Sequence, residues 1–353
     1  MEEGRGAETT TGETRGSSPR RGRRGLVIGG AIALGLLFLT VAAISLVLVA
    51  APGGSDGGRG GGGDMAPPER FQERYVTGEG VDKVAVLPVV GQISSAGSDA
   101  LGTQTATPET LRNQLRQAER DDSVKAVVIE INSPGGGVVA SDRMRESIQE
   151  FKEETEKPVV VSMGDTAASG GYYIATVADE IVANENTLTG SLGVIFSYFN
   201  FAEAAEEYGI EQEVVKSGPY KDIGSPTREP TEEELQILQA YVNDAYDSFV
   251  GVIVEGRGLS EEEVRELADG RIYSGQQAEA LGLVDALGNL ESAAEVAREL
   301  AGVEEATVVR YQRVQGLVEL LRARLAPPES EALKILKTAG LNPTPELQYL
   351  YLP

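Results

Sequence analysis

The sequence predicts an α/β domain with parallel sheets flanked by helices, preceded by one N-terminal transmembrane helix. Three observations carry that reading. Strand-like and helix-like segments alternate from Val81 onward, the strand-like runs are β-branched with little polar alternation, and an uncharged apolar stretch fills residues 26–51. Strands covered on both faces are near-continuous apolar runs, the pattern of parallel sheets. With 353 residues and 41% apolar content, the chain can bury a sizeable core.

Residues 1–25 are Gly, Ser, Thr, Arg and Glu with almost nothing to bury, and are expected to be a disordered cytoplasmic tail. Residues 26–51 exceed the roughly 20 needed to span a bilayer and the roughly 7 to 15 of a cleaved signal-peptide core, so an uncleaved anchor is expected. Arg20, Arg21, Arg23 and Arg24 precede this span and only Arg59 closely follows it. The positive-inside bias then puts the N-terminus in the cytoplasm and the rest outside, in a single-pass protein of the cell membrane. Residues 52–80 begin as a Gly-rich linker, with eight glycines in the 14 residues of "APGGSDGGRGGGGD". Beyond residue 65 stand 24 basic against 49 acidic residues, an excess that argues against nucleic acid and against attraction to anionic lipid. Cysteine is absent, so no disulfide can staple the domain.

The domain is expected over residues 81–300, followed by a C-terminal extension, 301–353, whose "ELQYLYLP" carries no usable motif. "KVAVLPVVGQI", "KAVVIEI", "KPVVVSM" and "DEIVANE" are expected strands, as is "EQEVVKSG". "PETLRNQLRQAERDD", "VVASDRMRESIQEFKEE" and "FAEAAEEYG" are expected helices. Thr231 with Glu234 forms a capping box that opens a long helix running to about Arg257, and Ser260 with Glu263 repeats the device.

Function is concentrated around "SMGDTAASGGYYIA", where Ser169 follows a strand and precedes two glycines. The chain contains no histidine and no cysteine, which excludes a Ser-His-Asp triad, Cys-His catalysis and His or Cys metal sites. A base for Ser169 must therefore be lysine, tyrosine or a carboxylate. Of eight lysines, Lys83, Lys125 and Lys157 precede strands, and Lys152, Lys334 and Lys337 sit in helical stretches. Lys216 and Lys221 remain, both in the loop segment "VVKSGPYKDIGSPTREP". A lysine ammonium titrates near ~10.4 in water and must be brought down by several units to act as a base. "INSPGGG" can supply backbone N–H donors for an oxyanion, with Gly170 as a second source.

Taken together, "INSPGGG", "SMGDTAASGGYYIA", "ANENTLTGSLGVI", "KSGPYKDIGSPTREPTEEE" and "GRIYSGQQAEALGLVD" resemble signal peptide peptidases of the SppA type in their short single-copy form. The likeness extends more distantly to the Clp protease proteolytic subunit and the crotonase superfamily. The resemblance implies Ser169 as nucleophile, Lys221 as general base, and Ser191 as the serine that orients the lysine. It implies Gly136 and Gly170 as oxyanion donors, although Gly135 and Gly136 are interchangeable on sequence alone. It further implies cleavage of remnant signal peptides and other small hydrophobic peptides at the membrane, without metal or other cofactor. Assembly into a dome-shaped homo-octameric ring is also implied. Because longer relatives carry two tandem copies, a single-copy chain is expected to complete each Ser169–Lys221 pair between neighbours. Two alternatives of other classes are a crotonase-like acyl-CoA hydrolase or hydratase and a non-catalytic ring scaffold.

Overall fold

The computed structural model describes residues 71–95, 105–313 and 347–350. The expected tail at 1–25 and membrane span at 26–51 lie outside the described residues, as does most of the expected linker. Among the described residues, no helix is long and apolar enough to cross a membrane.

The strands are β1 (Phe71–Thr77), β2 (Lys83–Val90), β3 (Gln92–Ile93), β4 (Thr105–Ala106), β5 (Val124–Ser133), β6 (Gly135–Gly137), β7 (Val159–Ala168), β8 (Glu180–Ala183), β9 (Leu188–Gly190), β10 (Ile195–Phe196), β11 (Ile272–Ser274), β12 (Ala286–Leu287), β13 (Thr307–Arg313) and β14 (Leu347–Leu350). The helices are α1 (Pro108–Arg120), α2 (Val138–Thr155), α3 (Gly170–Ala175), α4 (Ala202–Glu207), α5 (Glu232–Arg257), α6 (Glu261–Leu267), α7 (Gly275–Ala280) and α8 (Leu290–Leu300).

The larger sheet runs β1-β13-β2-β5-β7-β8-β12, with β9 on β7 and β11 on β9. From β13 through β12 every pair along this path is parallel, while β1 and β11 are antiparallel edges. The architecture is thus mixed α/β, a parallel sheet flanked by helices. Both faces are covered. Ala85, Leu87, Val127, Ile129 and Val161 face the core containing Leu111 and Leu115 of α1 and Met144 and Ile148 of α2. Their sequence neighbours Val84, Val86, Ala126, Val128 and Val160 pack on Ala293, Ala294 and Ala297 of α8. The period-2 geometry of a strand sends alternate residues to opposite faces, so two apolar layers demand an unbroken apolar run. The sheet also reaches beyond residues 81–300, through β1 on one side and β13 on the other.

A second, smaller sheet, β10-β14-β6-β3-β4, stands beside the first. Its central strand is the glycine run 135–137, parallel to β3 and antiparallel to β14.

Both expected capping boxes form. Thr231 accepts from Glu234 N–H at 3.2 Å, and Ser260 accepts from Glu263 N–H at 3.2 Å. Each satisfies donors that a helix start otherwise leaves open. Helix α5 is anchored at its far end, where Arg257 pairs with Asp285 at 2.9 and 2.5 Å and donates to the Gly282 carbonyl at 3.0 Å.

One expected strand is absent. Glu211–Gly218 is irregular and mostly exposed, with Val215 fully so. Its β-branched residues suit a strand, but no described strand lies alongside it, and a strand without a ladder partner has no hydrogen bonds to hold it.

The two glycines of α5 separate packing from propensity. A Cβ at Gly256 would lie 2.0 Å from the Thr176 carbonyl oxygen, whereas one at Gly251 meets nothing within 4 Å. Gly251→Ala is expected to raise stability by about 1 kcal/mol through helix propensity. Gly256→Ala is expected to lower it, because backbone must move. Thermal unfolding of the two variants measures this, and the same sign for both would refute it.

Candidate active site

Ser169 sits at the corner between β7 and α3, as the N-cap of the helix, and is 1% exposed. Its backbone is at φ 51°, ψ −115°. Among the described residues only three non-glycine residues have positive φ: Glu156, Ser169 and Ser191. Glu156 is the left-handed cap of α2, an ordinary helix end. The other two are both serines singled out by the sequence. Strained backbone persists only where surroundings fix it, and it gathers at functional sites.

The sheet brings these serines together. Ala168 of β7 stands opposite Gly190 of β9 in a parallel pair, so Ser169 and Ser191 leave adjacent strands at the same level. Ser169 N–H donates to the Gly190 carbonyl at 2.8 Å, and Ser191 N–H donates to the Arg271 carbonyl at 2.7 Å. Thr189 Oγ1 donates to the Ala167 carbonyl at 2.6 Å and ties the two strands behind the corner. Ser169 Oγ is buried and has no hydrogen-bond partner among the described residues. A buried hydroxyl without a partner costs about 1–3 kcal/mol, so its persistence calls for a reason.

The glycine strand β6 passes close to this corner. A Cβ on Gly135 would lie 2.6 Å from Gly170 nitrogen and 2.1 Å from the Tyr349 carbonyl oxygen. On Gly136 it would lie 1.9 Å from the Ile93 carbonyl oxygen, and on Gly170 it would meet Ser141 Oγ at 2.6 Å and the Tyr349 carbonyl oxygen at 3.1 Å. Gly135 has φ 96°, a second reason for glycine there. Gly135 N–H already donates to Ser133 Oγ at 3.1 Å.

Strand β14 completes the picture, and nothing in the sequence pointed to it. Gln348, Tyr349 and Leu350 lie antiparallel to Gly137, Gly136 and Gly135. The Tyr349 ring is fully buried, 4.9 Å from Tyr173 and 4.6 Å from Phe249 between centroids, and its hydroxyl donates to the Ala245 carbonyl at 3.0 Å. Tyr173 donates to Asp142 at 2.7 Å. Burial pushes the hydroxyls of both Tyr173 and Tyr349 well above the usual tyrosine range, so neither suits the role of base.

Residues 151–304 match the model of peptidase family S49, a stretch that holds Ser169, Ser191 and Lys221. A protein of Enterococcus faecium assigned as a signal peptide peptidase SppA is 34% identical over 293 residues, covering 80% of this chain and 85% of that protein. The chain belongs to peptidase family S49, the SppA family. A protein of Synechocystis assigned as a protease is 41% identical over 260 residues, 74% of this chain and 91% of that protein. The chloroplastic serine protease SPPA of Arabidopsis thaliana is 34% identical over 239 residues, 66% of this chain but 35% of that longer protein. The S49 chain is accordingly a peptidase of the serine type.

The lysines of this S49 peptidase divide sharply. Lys83 pairs with Glu73 and Asp121, Lys125 with Asp82, Lys152 with Asp179 and Lys216 with Asp222. Lys157 donates to the carbonyls of Ala118, Glu119 and Asp121 at the end of α1, where burial lowers its ammonium below the usual range. Lys221 is exposed, and among the described lysines it alone forms neither an ion pair nor a side-chain hydrogen bond. Among the described residues, no hydrogen bond joins its side chain to Ser169 or Ser191.

Steric exclusion at Gly170 generates a test. Gly170→Ala is expected to cut peptide cleavage at least ~100-fold, the scale of disturbing one oxyanion-type backbone donor. Adding Ser141→Gly removes the nearest clashing atom and should restore part of that loss. A double variant no better than the single one would show that the Ser141 contact is not what excludes a side chain.

Proposed function

We propose that this protein is a membrane-anchored serine endopeptidase that degrades remnant signal peptides and other small hydrophobic peptides by an acyl-enzyme mechanism. Ser169 Oγ attacks the peptide carbonyl, Lys221 takes its proton as base and returns it to the leaving amine as acid, and Ser191 orients the lysine. Backbone N–H groups of Gly136 and Gly170 receive the oxyanion. Water then repeats the sequence on the acyl-enzyme and frees Ser169.

The observation that carries this reading is the seat of β14. Its backbone runs as an added strand along the glycines, with the Tyr349 carbonyl oxygen against Gly135 and Gly170 beside the buried Ser169. Strand addition is how an extended peptide is held independently of its sequence, by main-chain hydrogen bonds. A peptide carbonyl, that of Tyr349, thus already fits at the corner where the nucleophile stands. Gly135 N–H is engaged by Ser133 Oγ, which leaves Gly136 as the reading for the first donor.

Two features support a dyad completed between copies in a homo-oligomeric ring. Among the described residues Ser169 Oγ has no hydrogen-bond partner, and Lys221 is the one lysine whose side chain forms neither an ion pair nor a hydrogen bond. The irregular segment that carries Lys221 and the short helix before it expose Phe201, Tyr208, Ile210, Val215 and Tyr220, apolar side chains of the kind an interface would cover. The anchor rests on the uncharged residues 26–51, with the catalytic domain outside the cell membrane. Every step uses the chain's own residues, with no metal or other cofactor.

Ser169→Ala and Lys221→Ala are each expected to abolish cleavage of an apolar fluorogenic peptide while the fold persists. Co-assembled in one ring, the two inactive chains should recover part of the activity, because some interfaces rebuild an intact pair. Mixed rings verified by mass spectrometry yet inactive would return the dyad to a single chain.

The pH profile offers a separate test. A lysine base must be neutral to work, so kcat/KM should climb with pH toward an alkaline-leaning optimum. A profile already flat from pH 5 upward would point to a carboxylate instead.

A further inference from the structure

Lys221 has an acidic neighbour in the chain, Asp222, and a carboxylate is the wrong companion for an amine that must give up its proton. Within about 4–6 Å it would hold the ammonium in its charged form. In the folded chain that carboxylate is already taken. Asp222 Oδ1 accepts from Lys216 Nζ at 2.6 Å and from Arg228 Nη2 at 2.9 Å, and Oδ2 accepts from Arg228 Nε at 3.1 Å. Even the Asp222 backbone carbonyl accepts from Arg228, at 3.2 Å.

Arg228 is anchored in turn. Its Nη1 donates to Glu234 Oε2 at 2.8 Å and to the Glu229 carbonyl at 3.0 Å, while Nη2 also reaches Glu234 Oε1. The same Glu234 carboxylate accepts from Thr231 N–H at 2.9 Å, as its half of the α5 capping box. A continuous set of charge-assisted bonds therefore runs from the first turn of a 26-residue helix to the residue beside Lys221. Glu234 is buried, its side chain 2% exposed, and that of Asp222 is 14% exposed.

We propose that Arg228 and Lys216 are positioning residues for Lys221: they engage the Asp222 carboxylate so that it does not pair with the amine, which favours the neutral amine. The inference rests on the reading of Lys221 as the general base. The charged groups facing Asp222 are Lys216 before the turn, Arg228 after it and, through Arg228, Glu234 of α5. Glu229, Glu232 and Glu233 are exposed to solvent. Arg228 first, and Lys216 second, hold the Asp222 carboxyl far below the usual range, and Arg228 holds Glu234 at about 2. Both carboxylates thus stay ionised wherever a lysine base could work, so the clamp does not titrate with the base it serves.

The test compares Arg228→Gln and Lys216→Gln, each alone and combined with Asp222→Asn, by following kcat/KM against pH on a quenched fluorogenic peptide of apolar residues. Arg228→Gln is expected to move the rise in kcat/KM about one pH unit to the alkaline side, because Asp222 is freed to pair with Lys221. Lys216→Gln should shift it in the same direction by less, and adding Asp222→Asn should bring either profile back toward wild type. A fall in activity at every pH, with no shift and no recovery on adding Asp222→Asn, would make Arg228 merely structural and overturn the proposal. An unchanged profile in both variants overturns it equally. Lys221→Ala in parallel keeps the two readings apart. Full activity there defeats the assignment of the base, whereas inactivity there with unshifted Arg228→Gln and Lys216→Gln profiles defeats only the clamp.

Discussion

No side chain fits at Gly135 or Gly136, where their strand passes between its neighbours, and the geometry around Ser169 depends on that close approach. Ile93 carbonyl oxygen stands on one side, the Tyr349 carbonyl oxygen on the other, and Gly170 nitrogen at the end, each at a distance that a single methyl group would violate. Backbone therefore meets backbone. What faces the corner is a set of peptide dipoles fixed by ladder pairing, and dipoles already in place need no reorganisation when charge develops. The small sheet exists to hold that arrangement, while the large sheet supplies the rigid platform from which β7 and β9 deliver two serines in left-handed backbone.

Electrostatics is arranged on the same plan. A chain with 55 acidic residues against 31 basic ones has no shortage of partners for a cation. Four of the described lysines are held in ion pairs and a fifth by carbonyls, and Lys221 stands in a loop whose adjacent carboxylate is occupied twice over. Exposed ion pairs of this kind contribute little to stability. Their value here lies in which charge they remove from which place.

Much of this was legible in the sequence, for physical reasons that differ by element. β2, β5 and β7 announce themselves because burial on two faces forces an unbroken apolar run, and α5 and α6 because a capping box is a local signal three residues wide. Ser169 and the pair Lys216 and Lys221 emerge by elimination in a chain without histidine or cysteine. The segment Glu211–Gly218 misled because strand propensity says nothing about whether a partner strand exists. That Gly135–Gly137 forms a strand has no local signal, since its partners, β3 and β14, come from about 40 residues before and 210 residues after it. The Arg228–Asp222–Glu234 network has no periodicity to betray it, because its spacing of six residues lies in irregular chain.

The insertion of β13 between β1 and β2 has a consequence for how the molecule comes into being. Strands 1 and 2 are close in sequence and would make a ready hairpin, yet in the finished sheet a strand made more than 200 residues later separates them. A chain emerging residue by residue must therefore hold its first strands apart, or undo their pairing, until Thr307–Arg313 arrives. Long-range parallel pairing of this kind is slow to form and leaves an apolar edge open in the meantime. The order of synthesis and the order of assembly are at odds, and the last-made strand of the large sheet is the one that closes it.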